Sequence, residues 1–195
     1  MNDKNRLSVR EKILEAAAEI ARESGAGNIT LEAVAARAGV SKGGLLYHFS
    51  SKARLLEAAV EQFVNQEHVC FQDRQKALET LGARNSVARA YIDLFDQERM
   101  RCEPPPTGLL AALAENPNFL KPVQHYECEV LKRMKAETNA PELAMIALLA
   151  IHGIRAMQLL NIEVVDDNDT TSVINALRKL LDEADGTCCG VAAGG

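Results

Sequence analysis

The chain has 195 residues, which is enough for a small domain followed by a larger one. Trp is absent and aromatic residues make up 4% of the chain, whereas Ala and Leu are abundant, a composition that favours helices over β-sheets. The formal net charge of −5 excludes a chain that is basic throughout and binds nucleic acid through its whole surface.

The charge is divided unevenly along the chain. Residues 1–54 contain nine Lys and Arg against six Asp and Glu, whereas residues 55–195 contain 13 against 21. A basic N-terminal segment fits a local contact with DNA phosphates, since neutralised phosphates supply most of the sequence-independent affinity. The acidic remainder would discourage DNA from binding elsewhere on the chain.

The first predicted helix opens at Ser8. Ser8 and Glu11 have the spacing of a capping box, in which each side chain accepts a hydrogen bond from the other residue's backbone N–H. Apolar residues follow on one helical face, and we expect this face to cover the next two helices, which are too short to bury enough surface alone. These apolar residues are Ile13, Ala16, Ala17 and Ile20.

Two short helices with a tight turn between them are predicted next. Thr30 caps the first helix, and Gly39 ends it because a residue without Cβ adopts the left-handed conformation at low cost. Ser41 caps the second helix, Lys42–Phe49. This order forms the helix-turn-helix pattern, whose second helix enters the DNA major groove. An ordinary helical hairpin has the same pattern, and the flanking residues favour the DNA-binding interpretation.

In and around this pattern the chain carries the segments Ala33–Ala35, Ala38–Gly43, Leu45–Phe49, Lys52 and Leu55–Leu56. These segments resemble the tetracycline-repressor (TetR) family of bacterial transcription regulators. The resemblance covers about residues 9–64, with agreement in spacing and residue type. It implies an all-α chain in which an N-terminal three-helix head with a helix-turn-helix is joined by a continuous helix to a C-terminal helical bundle that dimerises. One position differs, since the commoner family pattern has Tyr where this chain has Leu46, and the aromatic residue here is Tyr47.

A long helix is predicted to start near Lys52 and to continue through Phe63 toward residues 66–75. No flexible linker is predicted between the head and the rest of the chain, which is called the body. A movement of the body would therefore tilt the head as a rigid unit. The predicted division is a DNA-binding domain at residues 1–52, an effector-binding and dimerisation domain at residues 53–184, and a disordered tail at residues 185–195.

The body is predicted to contain a dimer interface. The helix at Glu142–Ile162 is apolar nearly all round and needs cover on both sides, but the chain supplies one further helix, at about Thr170–Ala184. A second copy of these two helices is the expected cover and would form a four-helix interface with twofold symmetry, which the family resemblance also implies. The other body helices are predicted at about Val87–Arg99, Gly108–Glu115 and Phe119–Glu137. The residues predicted at the dimer interface are Ile146, Ala150, Ile154, Val173, Leu177, Leu180 and Leu181.

The recognition helix is expected to face DNA with its polar and smallest residues. Lys42 is the candidate for reading a guanine edge, because an ammonium donates to O6 and N7; the alternative is a solvated surface lysine. Gly43 and Gly44 lower helix propensity by about 1 kcal/mol each relative to Ala, which close approach to DNA would justify. Glu32 stands where family members that read bases have a basic side chain, so base readout from Glu32 is not expected. The predicted DNA contacts are Thr30, Ser41, Lys42, Gly43, Gly44, Tyr47, His48 and Lys52.

Polar and aromatic residues within the apolar helices are the candidates for an effector pocket, in the region where family members bind their ligands. Arg155 lies on an otherwise apolar helix, so it reaches solvent, pairs with an acidic residue across the dimer or meets an anionic ligand. For each aromatic or Met candidate, the alternative is that it fills the core. The candidates are Phe63, Tyr91, Phe95, Tyr126, Met134, His152, Arg155 and Met157.

Catalysis is not indicated by the sequence. It has no nucleophile elbow, no phosphate-binding glycine loop and no metal-ligand spacing, so we expect no enzyme activity, metal or cofactor. Five scattered Cys and a polar N-terminus favour the cytoplasm. The most consistent function is a dimeric transcription regulator, a repressor that a small-molecule effector releases from a palindromic operator in double-stranded DNA. The alternative is a ligand- or protein-binding helical module whose head no longer reads DNA.

Overall fold

The computed structural model describes residues 7–24, 29–100, 116–160 and 162–186. These residues form eight α-helices and one short 3₁₀-helix at Pro117–Leu120, with no β-strand among them, which confirms the predicted all-α class. The α-helices are α1 (Val9–Ser24), α2 (Leu31–Ala38), α3 (Lys42–His48), α4 (Lys52–Thr80), α5 (Ser86–Met100), α6 (Lys121–Glu137), α7 (Pro141–Leu159) and α8 (Asp167–Gly186).

The chain divides into two compact units. One unit comprises Met1–Gln66 and Pro104–Gln124, and the other comprises Glu67–Glu103 and His125–Gly195. The boundary between the two units falls within α4, because the first turns of α4 contribute buried side chains to the core of the N-terminal unit. The predicted helix at 108–115 and residues 187–195 of the predicted tail lie outside the described residues.

The N-terminal unit begins with the predicted helix caps. The Ser8 backbone N–H donates to Glu11 Oε2 at 2.7 Å, and the Glu11 N–H donates to Ser8 Oγ at 3.2 Å, as a capping box requires. Thr30 Oγ1 accepts from the Ala33 N–H at 3.1 Å. Gly39 ends α2 with a φ of 67°, a left-handed conformation that residues with a Cβ rarely adopt.

The core of this unit holds the helix-turn-helix against α1 and the start of α4. Ile13 of α1, Val34 of α2, Leu45 of α3 and Leu55 of α4 are all fully buried in one cluster. Arg37 of α2 adds polar contacts, since its guanidinium donates to the α1 carboxylates at 2.6–3.2 Å, and these partners are Glu19 and Glu23. The apolar face of α1 therefore covers α2 and α3, as its periodicity predicted.

The second unit has its own core, formed by α5 to α8 and the later turns of α4. Phe71, Ile92, Met134, Ile151 and Ile174, one from each of these helices, are at most 1% exposed. Each helix buries one apolar face in this cluster, so the unit is a helical bundle.

A network of arginines and aspartates links α4, α5 and α8. Asp93 of α5 accepts from Arg74 of α4 and from Arg178 of α8, both at 2.9 Å. Arg178 also donates to Asp96 at 3.0 Å, and Asp96 accepts from Arg99 at 2.9 Å. Two carboxylates on one face of α5 therefore hold guanidinium groups from both neighbouring helices.

Two helix ends differ from the predictions for a physical reason. The long helix α4 continues to Thr80, beyond the predicted region, and ends where Gly82 adopts a φ of 72°. The last helix begins at Asp167 and not at Thr170, because Asp166 and Asp169 form a reciprocal cap in which Asp169 N donates to Asp166 Oδ1 at 2.7 Å. Short capping residues outside the apolar pattern thus add a turn that periodicity did not reveal.

Candidate functional site

The recognition helix α3 is fixed by its ends and by one buried anchor. Ser41 Oγ accepts from the Gly44 N–H at 3.0 Å, which caps the helix as predicted. Leu45 is fully buried and Phe49 is 4% exposed, so two side chains four residues apart attach α3 to the core. Apart from the half-buried Gly44, the other positions of the helix are exposed, which is the arrangement that a helix entering a groove requires.

The exposed face of α3 carries the predicted DNA contacts. Tyr47 is 87% exposed, which is unusual for a large aromatic side chain, and its ring lies edge-on to the neighbouring His48 ring with centroids 5.3 Å apart. Leu46 is 37% exposed, and Lys42 and Gly43 are also on the surface. These residues lie close together, within about one and a half turns of the helix. A helix in the major groove could contact base edges with all of them.

Lys42 has a partner that the sequence analysis missed. Its Nζ lies 2.6 Å from Glu32 Oε1 on α2, and both side chains are more than half exposed. The hydrogen bond from Lys42 is the main reason that the pKa of Glu32 lies below its usual value, so Glu32 is ionised at neutral pH. The sequence contained one indication of this pair, because the Glu32 carboxylate precedes Lys42 by ten residues within the helix-turn-helix.

The two glycines of α3 are not equivalent. A Cβ added to Gly43 would meet one neighbouring atom, Ser41 Oγ at 4.0 Å, which is an ordinary contact. A Cβ added to Gly44 would lie 3.2 Å from the same oxygen, which is tight. The fold therefore has a packing reason for Gly44 and none for Gly43.

The remaining predicted DNA contacts lie at helix starts. The Thr30 hydroxyl accepts the capping hydrogen bond of α2, and Lys52 is the first residue of α4 and half-buried. Ser51 caps α4, since its Oγ accepts from the Arg54 N–H at 3.2 Å. Backbone N–H groups and helix dipoles at these starts favour anions.

In the second unit, two predicted effector residues meet at a glutamate. Tyr91 is 5% exposed, and its hydroxyl lies 3.1 Å from Glu127 Oε2 and 3.2 Å from His152 Nε2. The His152 nitrogen is also 3.3 Å from Glu127. Burial, followed by the Glu127 charge, raises the pKa of Tyr91 above its usual value, so the hydroxyl stays protonated. These three groups come from α5, α6 and α7.

Arg155 has a partner that differs from each of the three predicted alternatives. Its guanidinium donates to Glu98 Oε2 of the same chain at 2.7 Å and lies over the Phe95 ring, 5.5 Å from the centroid. The prediction considered solvent, a partner across the dimer and a ligand, and it did not consider α5 as the source of a carboxylate. Both side chains of the pair are about one-third exposed.

The other predicted effector residues are dispersed. Met134 is buried in the core of the second unit, and Tyr126 packs edge-on against Phe71 with centroids 6.3 Å apart. Met157 lines a shallow cleft at the end of α7, and Phe63 belongs to the other compact unit. Glu127 was missed, although it lies four residues before Leu131, within the apolar stripe of its helix.

The residues predicted at the dimer interface fall into two groups. Exposed or half-buried positions are Ile146, Ala150, Val173 and Leu180. By contrast Ile154, Leu177 and Leu181 are at most 6% exposed and belong to the core of the second unit. Leu149, which was not predicted, is 68% exposed on α7.

Two family models match the chain. Residues 13–59 match the model described as "Bacterial regulatory proteins, tetR family", and residues 85–182 match "Tetracyclin repressor-like, C-terminal domain". The second match alone covers half of the chain. The chain belongs to the TetR family of transcription regulators. The first match spans α2, the turn and α3, so the head of this TetR-family regulator is a DNA-binding helix-turn-helix.

Solved structures agree with this fold. A TetR-family member from Streptomyces coelicolor A3 is 25% identical, with a TM-score of 0.62 over 88% of this chain and 98% of that chain. A transcriptional regulator from Rhodococcus sp. Rha1 is 19% identical, with a TM-score of 0.69 over 89% and 96%. The multidrug binding protein EbrR, complexed with malachite green, is 24% identical, with a TM-score of 0.62 over 88% and 96%.

No curated protein matches this TetR-family regulator. Within the described residues, no group of three His, Cys, Asp or Glu side chains is arranged to hold a metal ion. Among the described helices, none is both long and apolar enough to cross a membrane.

Proposed function

We propose that the chain acts as a dimeric repressor, which occupies a palindromic operator and leaves it when a small-molecule effector binds the body. The observation that carries this proposal is the outward face of α3, where Lys42, Tyr47 and His48 are exposed on a helix capped and anchored within a helix-turn-helix. Two heads related by a twofold axis would read half-sites separated by about one helical turn of DNA or a multiple of it.

The proposed DNA contacts divide into two roles. Lys42 would donate to guanine in the major groove, and Tyr47 and His48 would contact phosphates or a thymine methyl group. Thr30 and Lys52 would hold phosphates at the starts of α2 and α4, where helix dipoles already favour anions.

The first test is a selection from random genomic fragments, in which the DNA retained by the purified protein is sequenced. We expect one palindrome to be enriched, and the double variant Lys42→Ala, Tyr47→Ala to bind that palindrome at least tenfold more weakly. Lys179→Ala on α8 is the matched control, because it removes an exposed lysine from the other unit. Equal binding by the double variant and the wild type would refute the assignment of α3.

The proposed dimer would use the apolar residues that remain exposed on α7 and α8. Ile146, Leu149 and Leu180 are 48, 68 and 38% exposed, and a second copy would cover them. Sedimentation of the wild type should give a dimer, and Leu149→Glu should shift it toward the monomer with unchanged helical content. A wild-type monomer that still binds one palindrome would refute the four-helix interface.

The proposed effector region surrounds Tyr91, Glu127 and His152. The relative EbrR is a multidrug binding protein solved with malachite green. The test is a compound screen for release of the selected DNA, followed by the same assay on Tyr91→Phe and Glu127→Gln. A releasing compound should lose potency on these variants, and equal potency would locate the effector elsewhere.

The alternative module, whose head no longer reads DNA, is favoured by the ion pair between Lys42 and Glu32, which opposes the charge of the recognition helix. A folded dimer that enriches no fragment would support this alternative.

A further inference from the structure

The ion pair between Glu32 and Lys42 joins the two helices of the helix-turn-helix on its exposed surface. The Lys42 Nζ and Glu32 Oε1 atoms are 2.6 Å apart, and the side chains are 57 and 64% exposed. Ion pairs between exposed side chains contribute little to stability. The head also has its own cross-helix ion pairs from Arg37 to two carboxylates of α1, so stability does not explain a carboxylate at Glu32.

The pair changes what Lys42 can offer to DNA. A phosphate carries a negative charge and is attracted to the net charge of a side chain, whereas guanine O6 and N7 are neutral acceptors that need a hydrogen-bond donor. An ammonium has three N–H groups, so donation to one carboxylate leaves two that can reach a base. Pairing with Glu32 therefore weakens the attraction of Lys42 for phosphates much more than its capacity to donate to a base edge.

We propose that Glu32 is a specificity-determining residue, which suppresses the sequence-independent attraction of Lys42 for phosphates and keeps this lysine available as a donor to guanine. This inference rests on the proposed function, because it requires α3 to contact DNA. It predicts that Glu32 lowers the affinity for DNA of random sequence, although it stands in the DNA-binding surface.

The test measures binding of the full-length protein to a duplex of random sequence by fluorescence anisotropy between 50 and 200 mM NaCl. The variants are Glu32→Gln, which keeps the shape and removes the charge, Lys42→Gln, and the double variant. Glu32→Gln should bind about two- to fivefold more tightly at low salt, a gain of the size that an exposed ion pair contributes. In Glu32→Gln, each head that contacts DNA would neutralise one more phosphate than in the wild type. Between 50 and 200 mM NaCl, the affinity of the variant should therefore fall about 3.5-fold more per head than the affinity of the wild type.

The lysine variants identify the source of this gain. Lys42→Gln in the Glu32→Gln background should return the salt dependence to that of the wild type, whereas Lys42→Gln alone should change it little. On the palindrome selected by the wild type, Glu32→Gln should keep its affinity, so that the ratio of specific to random binding falls. Thermal denaturation of each variant verifies that the head is folded.

Three results would overturn the inference. If the wild type binds DNA and Glu32→Gln shows the same salt dependence as the wild type, the inference is refuted and the proposed function stays intact. A loss of affinity for the selected palindrome alone would mean that Glu32 itself reads a base. A wild type without salt-dependent DNA binding would refute both the inference and the proposed function.

Discussion

Replacing Gly43 by Ala separates what α3 needs for folding from what it needs for DNA. Gly43 lies in the first turn of α3, and the added Cβ would be 4.0 Å from the nearest neighbouring atom, Ser41 Oγ. The protein can therefore accept Ala there without strain. If Gly43 is present because DNA approaches the backbone closely, the methyl group will obstruct DNA and leave the fold unharmed.

The expected changes in stability and in DNA affinity follow from helix propensity and from the size of the added methyl group. Ala is favoured over Gly within a helix by about 0.5–1 kcal/mol, which corresponds to a rise in melting temperature of about 1–4 °C for a protein of this length. The DNA affinity should fall at least tenfold, because the Cβ occupies space that the groove needs. The assays are thermal denaturation followed by circular dichroism and fluorescence anisotropy with the selected palindrome.

Gly44→Ala is the comparison, since its Cβ would lie 3.2 Å from Ser41 Oγ and press on the helix cap. We expect Gly44→Ala to gain less stability than Gly43→Ala or to lose stability. If Gly43→Ala binds the palindrome as tightly as the wild type, DNA does not approach the backbone of α3 closely at Gly43. If it unfolds at a lower temperature than the wild type, the space around Gly43 does not accommodate a methyl group.

Further substitutions test the core of the head and the titratable groups of α5. Leu45→Ala, which removes the buried anchor of α3, should destabilise the protein by about 2–5 kcal/mol in urea denaturation and abolish DNA binding. Burial acts to raise the pKa of Asp96, but hydrogen bonds from its two arginine partners outweigh burial and lower it, so stability should fall as the pH drops below about 4. Asp96→Asn should be less stable at pH 7 and depend less on pH below 4, and an unchanged acid profile would contradict this. Because burial and then Glu127 raise the pKa of Tyr91, stability should also fall above about pH 10. Glu127→Gln should move the Tyr91 transition, followed by absorbance at 295 nm, to lower pH.

The local features of the head were predictable because each depends on neighbouring residues. The capping hydroxyls of Thr30 and Ser41 and the left-handed Gly39 are specified within three or four positions of sequence. Such signals need no knowledge of which helices pack together.

Partners on different helices were not predictable in this way. Glu32 and Lys42, or Arg155 and Glu98, meet because the fold brings two helices side by side, and the sequence carries no rule that pairs one particular carboxylate with one cation. Periodicity likewise found two apolar faces on α7. It could not decide which face the chain covers itself, so Ile154, which is buried within the chain, was predicted at the dimer interface.

The anchoring of α3 by Leu45 and Phe49 has a consequence for how such a protein could change its target. These two residues attach the helix to its core and Gly44 is half-buried, whereas the other positions of α3 are exposed and contribute little to packing. Residues 42, 43, 46, 47 and 48 can therefore be exchanged as a set with small effects on stability. A library randomised at these five positions would retain most of its folded members, so that selection could act on the DNA sequence recognised and not on the survival of the scaffold.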